Sequence, residues 1–542
     1  MTAPAAPAPV QLTHRQILTV LSGLLLGMFL AALDQTIVST AMRTIADELD
    51  GQTAQAWVTT SYLIASTITT PLYGKLSDQY GRKPFYLFAI GVFVLGSVLC
   101  GTAQSIYELA AYRAVQGLGA GGLMSLAFAI VGDLVSPRER GRYQGWFMAV
   151  FGTSSVLGPV IGGAFAGQDT ILGIDGWRWI FYINVPIGLA ALLVVMRTLH
   201  LPERVNEHRI DFLGAGLLTS AVVPLLLVAE KGRDWGWGSG LTVGLTVLSV
   251  VSLIAFVAWE RRMGPEAILP LRMFSSSIFS ITSVTALLVG AGMFGGLVVL
   301  PLYLQIVKGS SPTEAGLQLI PLMVGIILTS GISGKVMSRT GRYKWFPVGG
   351  IALMFAALMA MSTLTVDTPV PQTMAYMVVM GAGLGLSMQT LVISVQNAMP
   401  PRDMGVATSS VTFFRSMGGT FGAALSLAVL FGSLAGNIQE RAVRAGLPQD
   451  VVDRFSSATA LNDTSIIATL PEAVRRVVLE GFADSMTTVF FVVGLVLVPA
   501  FVLAVLVKEI PLRASGGLAA AHEDADAETR AETAESSSAV VV

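Results

Sequence analysis

The sequence predicts an all-α integral membrane protein because it has few charged residues, many long apolar runs and a one-sided distribution of basic residues. Of its 542 residues, 53% are hydrophobic and 12% are charged, whereas an average soluble protein carries roughly 25% charged residues. A soluble chain of this length would form several domains, each with a charged surface. Because the charged residues are too few for that, the expected surroundings are a lipid bilayer.

Charge balance and cysteine content argue against other classes of protein. Lysine and arginine together number 33, and aspartate and glutamate number 34, so we expect no nucleic-acid partner. The single cysteine, Cys100, lies in an apolar run and excludes a disulfide framework and a cysteine-rich metal site.

Fourteen segments are long and apolar enough to cross a membrane, which takes about 20 mostly apolar residues. The first is too long for a signal peptide and no cleavage pattern follows it, so we expect it to be retained as a helix. The predicted spans are 16–42, 55–75, 84–103, 107–131, 143–167, 178–197, 210–229, 238–259, 275–305, 313–334, 345–365, 371–398, 405–434 and 485–507.

Basic residues concentrate in alternate loops between these spans. If the N-terminus is cytoplasmic, the loops after even-numbered spans are cytoplasmic and should be the basic ones. They hold 17 lysines and arginines, whereas the short loops on the other side hold four or five. We therefore expect a multi-pass protein of the bacterial cytoplasmic membrane with both termini in the cytoplasm.

The spans and the polar segments between them divide the chain into five parts. The tail is rich in Ala, Ser, Glu and Asp, a composition typical of disorder, and the outer loop contains the pattern of a short amphipathic helix after Pro471. The parts are a cytoplasmic N-terminus (1–15), a six-helix bundle (16–198), a linker with two extra transmembrane helices (199–274), a second six-helix bundle (275–507) that includes a long outer loop (435–483), and a disordered cytoplasmic tail (508–542).

An internal repeat supports the division into two bundles. The stretch Gly74–Lys83 follows the second span, and Gly334–Lys344 follows the tenth, at an offset of 260 residues, with Gly, Lys, Gly and Arg in register. Parallel repeats of six helices with a substrate site between them are a transporter architecture.

Five motifs then point to a known family. Gly74–Lys83 resembles the loop signature G-x-L-x-D-x-x-G-R-K/R of the major facilitator superfamily, and Leu109–Gly117 resembles its fourth-helix motif R-x-x-Q-G. The residues that carry the loop signature are Gly74, Asp78, Gly81, Arg82 and Lys83. The fifth span is similar to the family's antiporter motif through Gly152, Gly158, Pro159, Gly162 and Gly163.

Two further stretches are similar to the fourteen-helix drug:proton antiporter branch, of the multidrug efflux type. These are Leu33–Val38 in the first span and Trp177–Gly188 around the sixth. The chain departs from the branch at Ser39 and Met42-Arg43, where an Asn and a Leu-Pro are usual. The resemblance implies the major facilitator fold, two six-helix bundles plus two extra central helices.

Asp34 and Arg113 are the candidates for proton coupling. Asp34 is the one acidic residue well inside a predicted span, and an ionised carboxylate at a helix centre costs on the order of 2.5–3.5 kcal/mol. Both residues are expected at the same depth, so we hypothesise that they interact directly, through water or through Gln116, and that protonation of Asp34 weakens the attraction. The alternatives are a carboxylate that caps the helix at the interface and a static ion pair.

Other polar residues on apolar spans are candidates for the substrate cavity. Arg415 is expected near the membrane midplane, where it would bind an anionic substrate group, a backbone carbonyl or the end of a broken helix. For each of the others, an interhelical hydrogen bond is the competing interpretation. The candidates are Gln116, Gln305, Gln389, Gln396, Asn397 and Arg415.

The acidic member of the loop signature, Asp78, predicts a gating contact. We expect it to cap a helix N-terminus or to pair with Arg138 or Arg142, closing the cytoplasmic end in one conformation. Membrane topology alone is the competing interpretation of the basic residues, but topology does not require the aspartate.

A glycine-rich run in the fourth span, Gly117–Gly122, resembles a dinucleotide fingerprint. That motif needs a preceding strand, whereas this run lies inside an apolar span, so helix packing through small residues is the better interpretation.

The predicted function is proton-coupled export of a drug-like or secondary-metabolite small molecule by alternating access. The protein is expected to be monomeric, not an enzyme, and to need no cofactor because the proton gradient drives it. The alternatives are a proton-coupled transporter of a lipid or nutrient and a membrane enzyme acting on lipids. Against the enzyme, the sequence contains no H-E-x-x-H, G-x-S-x-G or phosphate-binding motif.

Overall fold

The computed structural model describes residues 14–49, 54–199, 211–446 and 470–512, and almost all of this is α-helix. The first half consists of α1 (His14–Glu48), α2 (Gln55–Tyr80), α3 (Arg82–Thr102), α4 (Ile106–Leu134), α5 (Pro137–Ala166), α6 (Trp179–Tyr182) and α7 (Asn184–Thr198). Between α5 and α6 lies a small antiparallel hairpin of β1 (Thr170–Ile171) and β2 (Ile174–Asp175), with Thr170 opposite Asp175.

The second half follows a central helix pair. The pair is α8 (Phe212–Trp235) and α9 (Gly240–Met263). The second half consists of α10 (Ser277–Leu302), a turn of π-helix (Tyr303–Val307), α11 (Pro312–Gln318), α12 (Ile320–Thr340), α13 (Trp345–Met361), α14 (Val370–Ala398), α15 (Met404–Arg444) and α16 (Glu472–Leu506).

Twelve helices in the described part of the chain are long and apolar enough to cross a membrane. The other two predicted spans also coincide with helices, α2 and α13. The first is 26 residues long but less apolar, and the second is apolar but 17 residues long. The multi-pass helical architecture is therefore present, and the count of fourteen spans stays a prediction. Most of the N-terminus (1–13), most of the segment before α8 (200–210) and the tail from 513 lie outside the described residues.

Glycines bring the helices of each half into close contact. A methyl group added at Gly117 would lie 2.5 Å from the backbone oxygen of Tyr62 on α2, and one at Gly119 would lie 2.5 Å from the backbone nitrogen of Phe93 on α3. Small residues that let backbones approach in this way are typical of membrane helix packing. The glycine run of α4 is thus a packing element, as the sequence indicates.

The two repeated signatures are helix ends rather than loops. The second helix continues through the polar residues to Tyr80, Gly81 breaks it with φ 94°, and α3 begins at Arg82. In the repeat, α12 continues to Thr340 and ends at Gly341 with φ 70°. Hydropathy marks only the part of a helix suited to hydrocarbon, whereas the helix itself ends where glycine adopts a positive φ that other residues disfavour.

The helix predicted after Pro471 is present, although it is continuous with the last span rather than short and separate, and residues 435–444 of the predicted outer loop are also helical. The fifteenth helix runs to Arg444 and is 41 residues long, and α16 begins at Glu472. A helix of that length spans about 60 Å, twice the hydrocarbon thickness of about 30 Å. Arg441 ties the two extensions together through Asp484 at 2.7 Å and Glu480 at 3.2 Å, which explains why polar residues remain helical there. Residues 447–469 lie outside the described part.

Candidate functional site

The proposed proton-coupling residues meet in a buried ion pair between α1 and α4. The Nη1 atom of Arg113 lies 2.5 Å from Oδ2 of Asp34, and the side chains are 1% and 0% exposed. Both spans are mostly apolar, so each charge needs a partner within the bundle. The pairing that equal depth suggested is therefore direct.

Three further polar side chains complete the buried cluster, which we call the Asp34 network: Asp34, Ser97, Arg113, Gln116 and Asn184. Gln116 accepts from Arg113 Nη1 at 2.6 Å and donates to Asp34 Oδ1 at 2.8 Å. Asn184 donates to the same oxygen at 2.7 Å, and Ser97 Oγ accepts from both amides, at 2.6 Å from Gln116 and 3.1 Å from Asn184. Four helices, α1, α3, α4 and α7, thus meet at one carboxylate.

The Asp34 network supplies hydrogen-bond donors to both carboxylate oxygens. Both oxygens of Asp34 accept hydrogen bonds, and the guanidinium of Arg113 also lies 4.1 Å from the ring centroid of Tyr62. Removal of the charge on Asp34 would leave Arg113 without an anion in a nearly water-free site, at a cost of about 3–5 kcal/mol. The ion pair therefore stabilises the contact between α1 and α4.

Ser97 and Asn184 are functional candidates that sequence reasoning missed. Asn184 lies in the stretch Trp177–Gly188, which resembles the antiporter branch. It is a polar residue on an apolar span, and that feature is the signal by which the sequence could have marked it as a functional candidate. Ser97 carries no such signal, because a serine in an apolar helix usually bonds to its own backbone.

The glycine motif of α5 packs against α1 beside the Asp34 network. A methyl group added at Gly158 would lie 2.5 Å from Cβ of Thr36, and one at Gly162 would lie 2.9 Å from the carbonyl oxygen of Ile37. The Thr36 hydroxyl donates to the carbonyl of Ser154 at 3.0 Å, which joins the same two helices. The turn of α1 that follows Asp34 is therefore fixed by α5.

The remaining members of the motif serve other contacts. Gly152 faces α12 of the second half, where a methyl group would lie 3.2 Å from Cδ1 of Ile327. Pro159 faces α11, 3.6 Å from a methyl position on Gly316, while a methyl group at Gly163 would meet no atom of the described residues within 4 Å.

Replacing Gly158 by Val is expected to separate α1 from α5 and displace Asp34. Overpacking of a close contact costs typically about 1–3 kcal/mol, so the apparent melting temperature in detergent should fall and transport should drop about tenfold or more. Thermal unfolding by intrinsic tryptophan fluorescence and vesicle transport would measure the two effects. Gly163→Val is the matched control, since space is open there, and an equal loss in both variants would contradict the packing role.

A second charged cluster joins the two halves at one end of the bundle, which we call the basic end and define by Gly74–Arg82 and Pro137–Arg140. Asp78 accepts hydrogen bonds from the backbone nitrogens of Gly405 at 3.0 Å and Val406 at 2.8 Å. These are first-turn N–H groups of α15, which attract anions. Asp78 thus caps a helix N-terminus of the opposite half, one of the two predicted roles.

Arg82 orients the capping carboxylate. It lies 2.5 Å from Asp78 and 2.7 Å from Asp133 of α4, and it donates to Ser77 Oγ at 2.6 Å. The buried cation therefore connects α2, α3 and α4 within the first half.

The other members of the signature have packing and surface contacts. Gly74 lies against α15, where a methyl group would approach Cβ of Ser409 at 2.6 Å and the carbonyl of Gly405 at 2.8 Å. Lys83 donates to the carbonyl of Met196 on α7 at 2.8 Å.

The alternative of a pair between Asp78 and Arg138 is not realised in this state, because Arg138 binds the second half directly. Its guanidinium donates to the carbonyls of Ser338 at 2.9 Å and Arg339 at 3.2 Å, in the last turn of α12. The charge on Arg138 suits those C-terminal carbonyls. The side chain of Arg142 lies outside the described residues.

Gln396 and Asn397, two of the candidates for the substrate cavity, form their hydrogen bonds at the basic end in this state. Gln396 accepts from Arg140 at 2.5 Å and donates to Thr408 at 2.8 Å. Asn397 donates to the carbonyls of Ile510 and Pro511. Both occupy the last turn of α14, which continues to Ala398 and carries them out of the apolar region. Among the described residues, six hydrogen bonds at this end join the two halves. The halves are therefore closed against each other at this end.

The other cavity candidates lie deeper in the second half. Gln389 is buried on α14, Gln305 is partly exposed in the π-helical turn, and Arg415 is partly exposed on α15. The side chains of these three residues make no hydrogen bond or ion pair to another residue in the described part of the chain. Gln116, the remaining candidate, belongs to the Asp34 network.

Comparison with known proteins agrees with this architecture. Residues 24–423 match the family model described as Major Facilitator Superfamily. An uncharacterized MFS-type transporter of Mycobacterium tuberculosis is 39% identical over 508 residues, covering 94% of this chain and 71% of the relative. Multidrug resistance protein 3 of Bacillus subtilis is 35% identical over 498 residues, covering 90% and 93%.

Solved structures show the same fold at low sequence identity. The proton:xylose symporter XylE aligns with a TM-score of 0.59 at 15% identity, over 94% of this chain and 99% of the symporter. A bacterial homologue of the lysosomal transporter Spinster, facing inward, aligns with a TM-score of 0.55 at 17% identity, over 91% and 98%. Together with the two helical halves and the family match, these similarities show that the chain belongs to the Major Facilitator Superfamily and is a membrane transporter.

Proposed function

We propose that this transporter is a proton-coupled exporter of drug-like or secondary-metabolite small molecules, of the fourteen-helix drug:proton antiporter type. The observation that carries the proposal is the ion pair between Asp34 and Arg113, buried among four helices and hydrogen-bonded at both carboxylate oxygens. A titratable pair inside a transporter bundle is a functional site by default, because its burial is costly. No cofactor is needed, since the proton gradient supplies the free energy.

The coupling step is the exchange of a proton at Asp34. In the ionised state the carboxylate holds α1, α4 and α7 together through Arg113, Gln116 and Asn184. Protonation removes the Coulombic attraction to Arg113 and converts one of the two acceptor oxygens into a hydrogen-bond donor. The four helices then repack, and the Gly158 contact transmits the movement of α1 to α5, whose Gly152 faces the second half.

The gate is the set of contacts at the basic end. With both termini in the cytoplasm, this end faces the cytoplasm, and the described state is closed to it. Opening the cavity to cytoplasmic substrate requires Asp78 to leave the N-terminus of α15 and Arg138 to leave the end of α12. Each charge-assisted hydrogen bond contributes about 1.5–3 kcal/mol, which is enough to make the two conformations distinct.

The choice of drug-like compounds rests on the relatives. Proteins of Bacillus subtilis at 35% identity carry the names Multidrug resistance protein 3 and Multidrug transporter protein MdtP. A buried pair of one carboxylate and one guanidinium is suited to the exchange of one compound for protons. All residues of this pair come from one chain, and the protein is proposed to work as a monomer.

Reconstituted vesicles provide the test of the proposal. The purified protein, inserted in liposomes with a pH gradient that is acidic on the side of substrate accumulation, is expected to concentrate fluorescent drugs against their gradient. A protonophore should abolish the accumulation. Drug accumulation that persists at full rate without a pH gradient would contradict the proposal. Vesicles that transport sugars or lipids but not drugs would also contradict it.

A further inference from the structure

Arg415 lies inside a membrane span of the described part of the chain, and neither the proposed coupling step nor the proposed gate involves it. It lies eleven residues into α15, which corresponds to about 17 Å from the start of the helix. The hydrocarbon half-thickness is about 15 Å. The residue therefore sits near the middle of the membrane, in the half of the protein opposite the Asp34 network.

The backbone of α15 is held rigidly around this arginine by α10. A methyl group added at Gly290 would lie 3.0 Å from the carbonyl carbon of Arg415, one at Gly418 would lie 2.6 Å from the carbonyl carbon of Leu287, and one at Gly422 would lie 2.6 Å from Cα of Ala291. Three close contacts within two turns fix the helix position. The guanidinium thus extends from a rigid support, as a preorganised binding group requires.

The guanidinium has no counter-charge among the described residues. The acids nearest to the membrane interior are already engaged: Asp34 by Arg113, and Asp78 and Asp133 by Arg82. The guanidinium donates no hydrogen bond to a backbone carbonyl in the described part of the chain, so that alternative from the sequence is not realised there. Arg415 is also partly exposed, while Val411 and Gly418 on the same helix are buried.

We expect the exposed part of Arg415 to face the space between the halves rather than lipid, for an energetic reason. A guanidinium turned towards lipid at this depth is energetically costly, and charged residues within membrane spans almost always face the bundle interior or a water-filled cavity. A positive group with free donors then stands in the cavity that alternating access exposes to each side in turn.

We propose that Arg415 binds a carboxylate group of the exported compound, so that the preferred substrates are organic anions. This inference rests on the proposed export function and specifies its substrate class. Guanidinium and carboxylate form two parallel hydrogen bonds at about 2.7–2.9 Å, a geometry that ammonium or neutral groups do not match. The substrate supplies the negative charge that the second half lacks.

Equilibrium binding to the purified full-length protein tests the inference without a proton gradient. Dansylglycine, which carries a carboxylate, and dansylglycinamide, its neutral analogue, report binding by their fluorescence. The wild type is expected to bind dansylglycine at least about tenfold more tightly, because hydrogen bonds between a guanidinium and a carboxylate are stronger than those to a neutral amide. Arg415→Gln should remove that preference and leave amide binding unchanged, and Arg415→Lys should retain part of it.

A charge-matched control separates local binding from net charge. Arg402→Gln removes a positive charge at the basic end, where the arginine is 73% exposed, and should keep the full carboxylate preference. Wild type that fails to bind dansylglycine, or binds the amide as tightly, would overturn the inference, as would an undiminished preference in Arg415→Gln. A carboxylate preference without gradient-driven transport supports the binding site while contradicting the export function, so the two failures are distinguishable.

Discussion

Replacing Asp34 by Asn is expected to reduce proton-driven export by about 100-fold or more. The substitution keeps the shape and one acceptor oxygen of the side chain, so Gln116 and Asn184 retain a partner, but it removes the charge that protonation controls. Loss of one member of a buried ion pair costs about 3–5 kcal/mol, and each 1.4 kcal/mol changes an equilibrium about tenfold. Vesicles with an imposed pH gradient would measure the initial rate of drug accumulation.

The binding of substrate should survive the same substitution. Arg415 and the second half are untouched, so downhill movement of the dye is expected to continue at a rate near that of the wild type. This split between coupled and downhill transport distinguishes a coupling carboxylate from a structural one. Asp175→Asn is the control, since it removes an aspartate paired with Arg178 in the hairpin, where the carboxylate is 43% exposed.

A double substitution separates coupling from stability. Arg113 without its anion should lower the melting temperature of Asp34→Asn, and adding Arg113→Gln should recover much of that loss, because no charge is then left buried. Proton-driven export should remain absent in the double variant. Recovery of coupled export would show that the pair is a static structural contact.

Replacing Asp78 by Asn is expected to shift the conformational equilibrium about 10- to 100-fold towards the state that is open at the basic end. The carboxylate accepts from two backbone N–H groups of α15 and neutralises Arg82. A hydrogen bond to a charged group contributes about 1.5–3 kcal/mol, so loss of the charge weakens the contact between the halves by that order. The amide also brings a donor towards N–H groups that need an acceptor.

Cysteine labelling measures this shift, because the only native cysteine, Cys100, is buried. A cysteine introduced at Ser410, which is 1% exposed on α15 near this contact, should react with a maleimide faster in the Asp78→Asn background. Glu139→Gln is the matched control, since that exposed acid at the same end bonds to Ser136 within its own half. Equal labelling rates in all three backgrounds would contradict the gating role of Asp78.

Much of the fold follows from one-dimensional properties of the chain. The span centres, the bundle halves on either side of a central helix pair and the repeated signatures coincide with helices, because burying backbone in hydrocarbon requires helix and apolar side chains. Helix ends are less predictable. The polar turns of α2 and α12 and the extensions of α15 and α16 are stabilised by glycine breaks and interhelical ion pairs, which hydropathy does not register.

Some residues of the candidate site can likewise be recognised from the sequence, whereas their contacts depend on the tertiary structure. Asp34, Arg113 and Asp78 stand out in the sequence because a charge in an apolar run, or an acid among basic residues, needs a physical reason. Other contacts depend on which helix faces meet. Ser97 and Asn184 join the Asp34 network, and Asp78 accepts hydrogen bonds from N–H groups of α15, only because those helices pack together. The same is true of the hydrogen bonds of Gln396 and Asn397 at the basic end. Those faces are set by glycine contacts between residues far apart in the chain. The cost of placing a charge in hydrocarbon is local and readable from sequence, whereas the partner that offsets this cost is decided by tertiary packing.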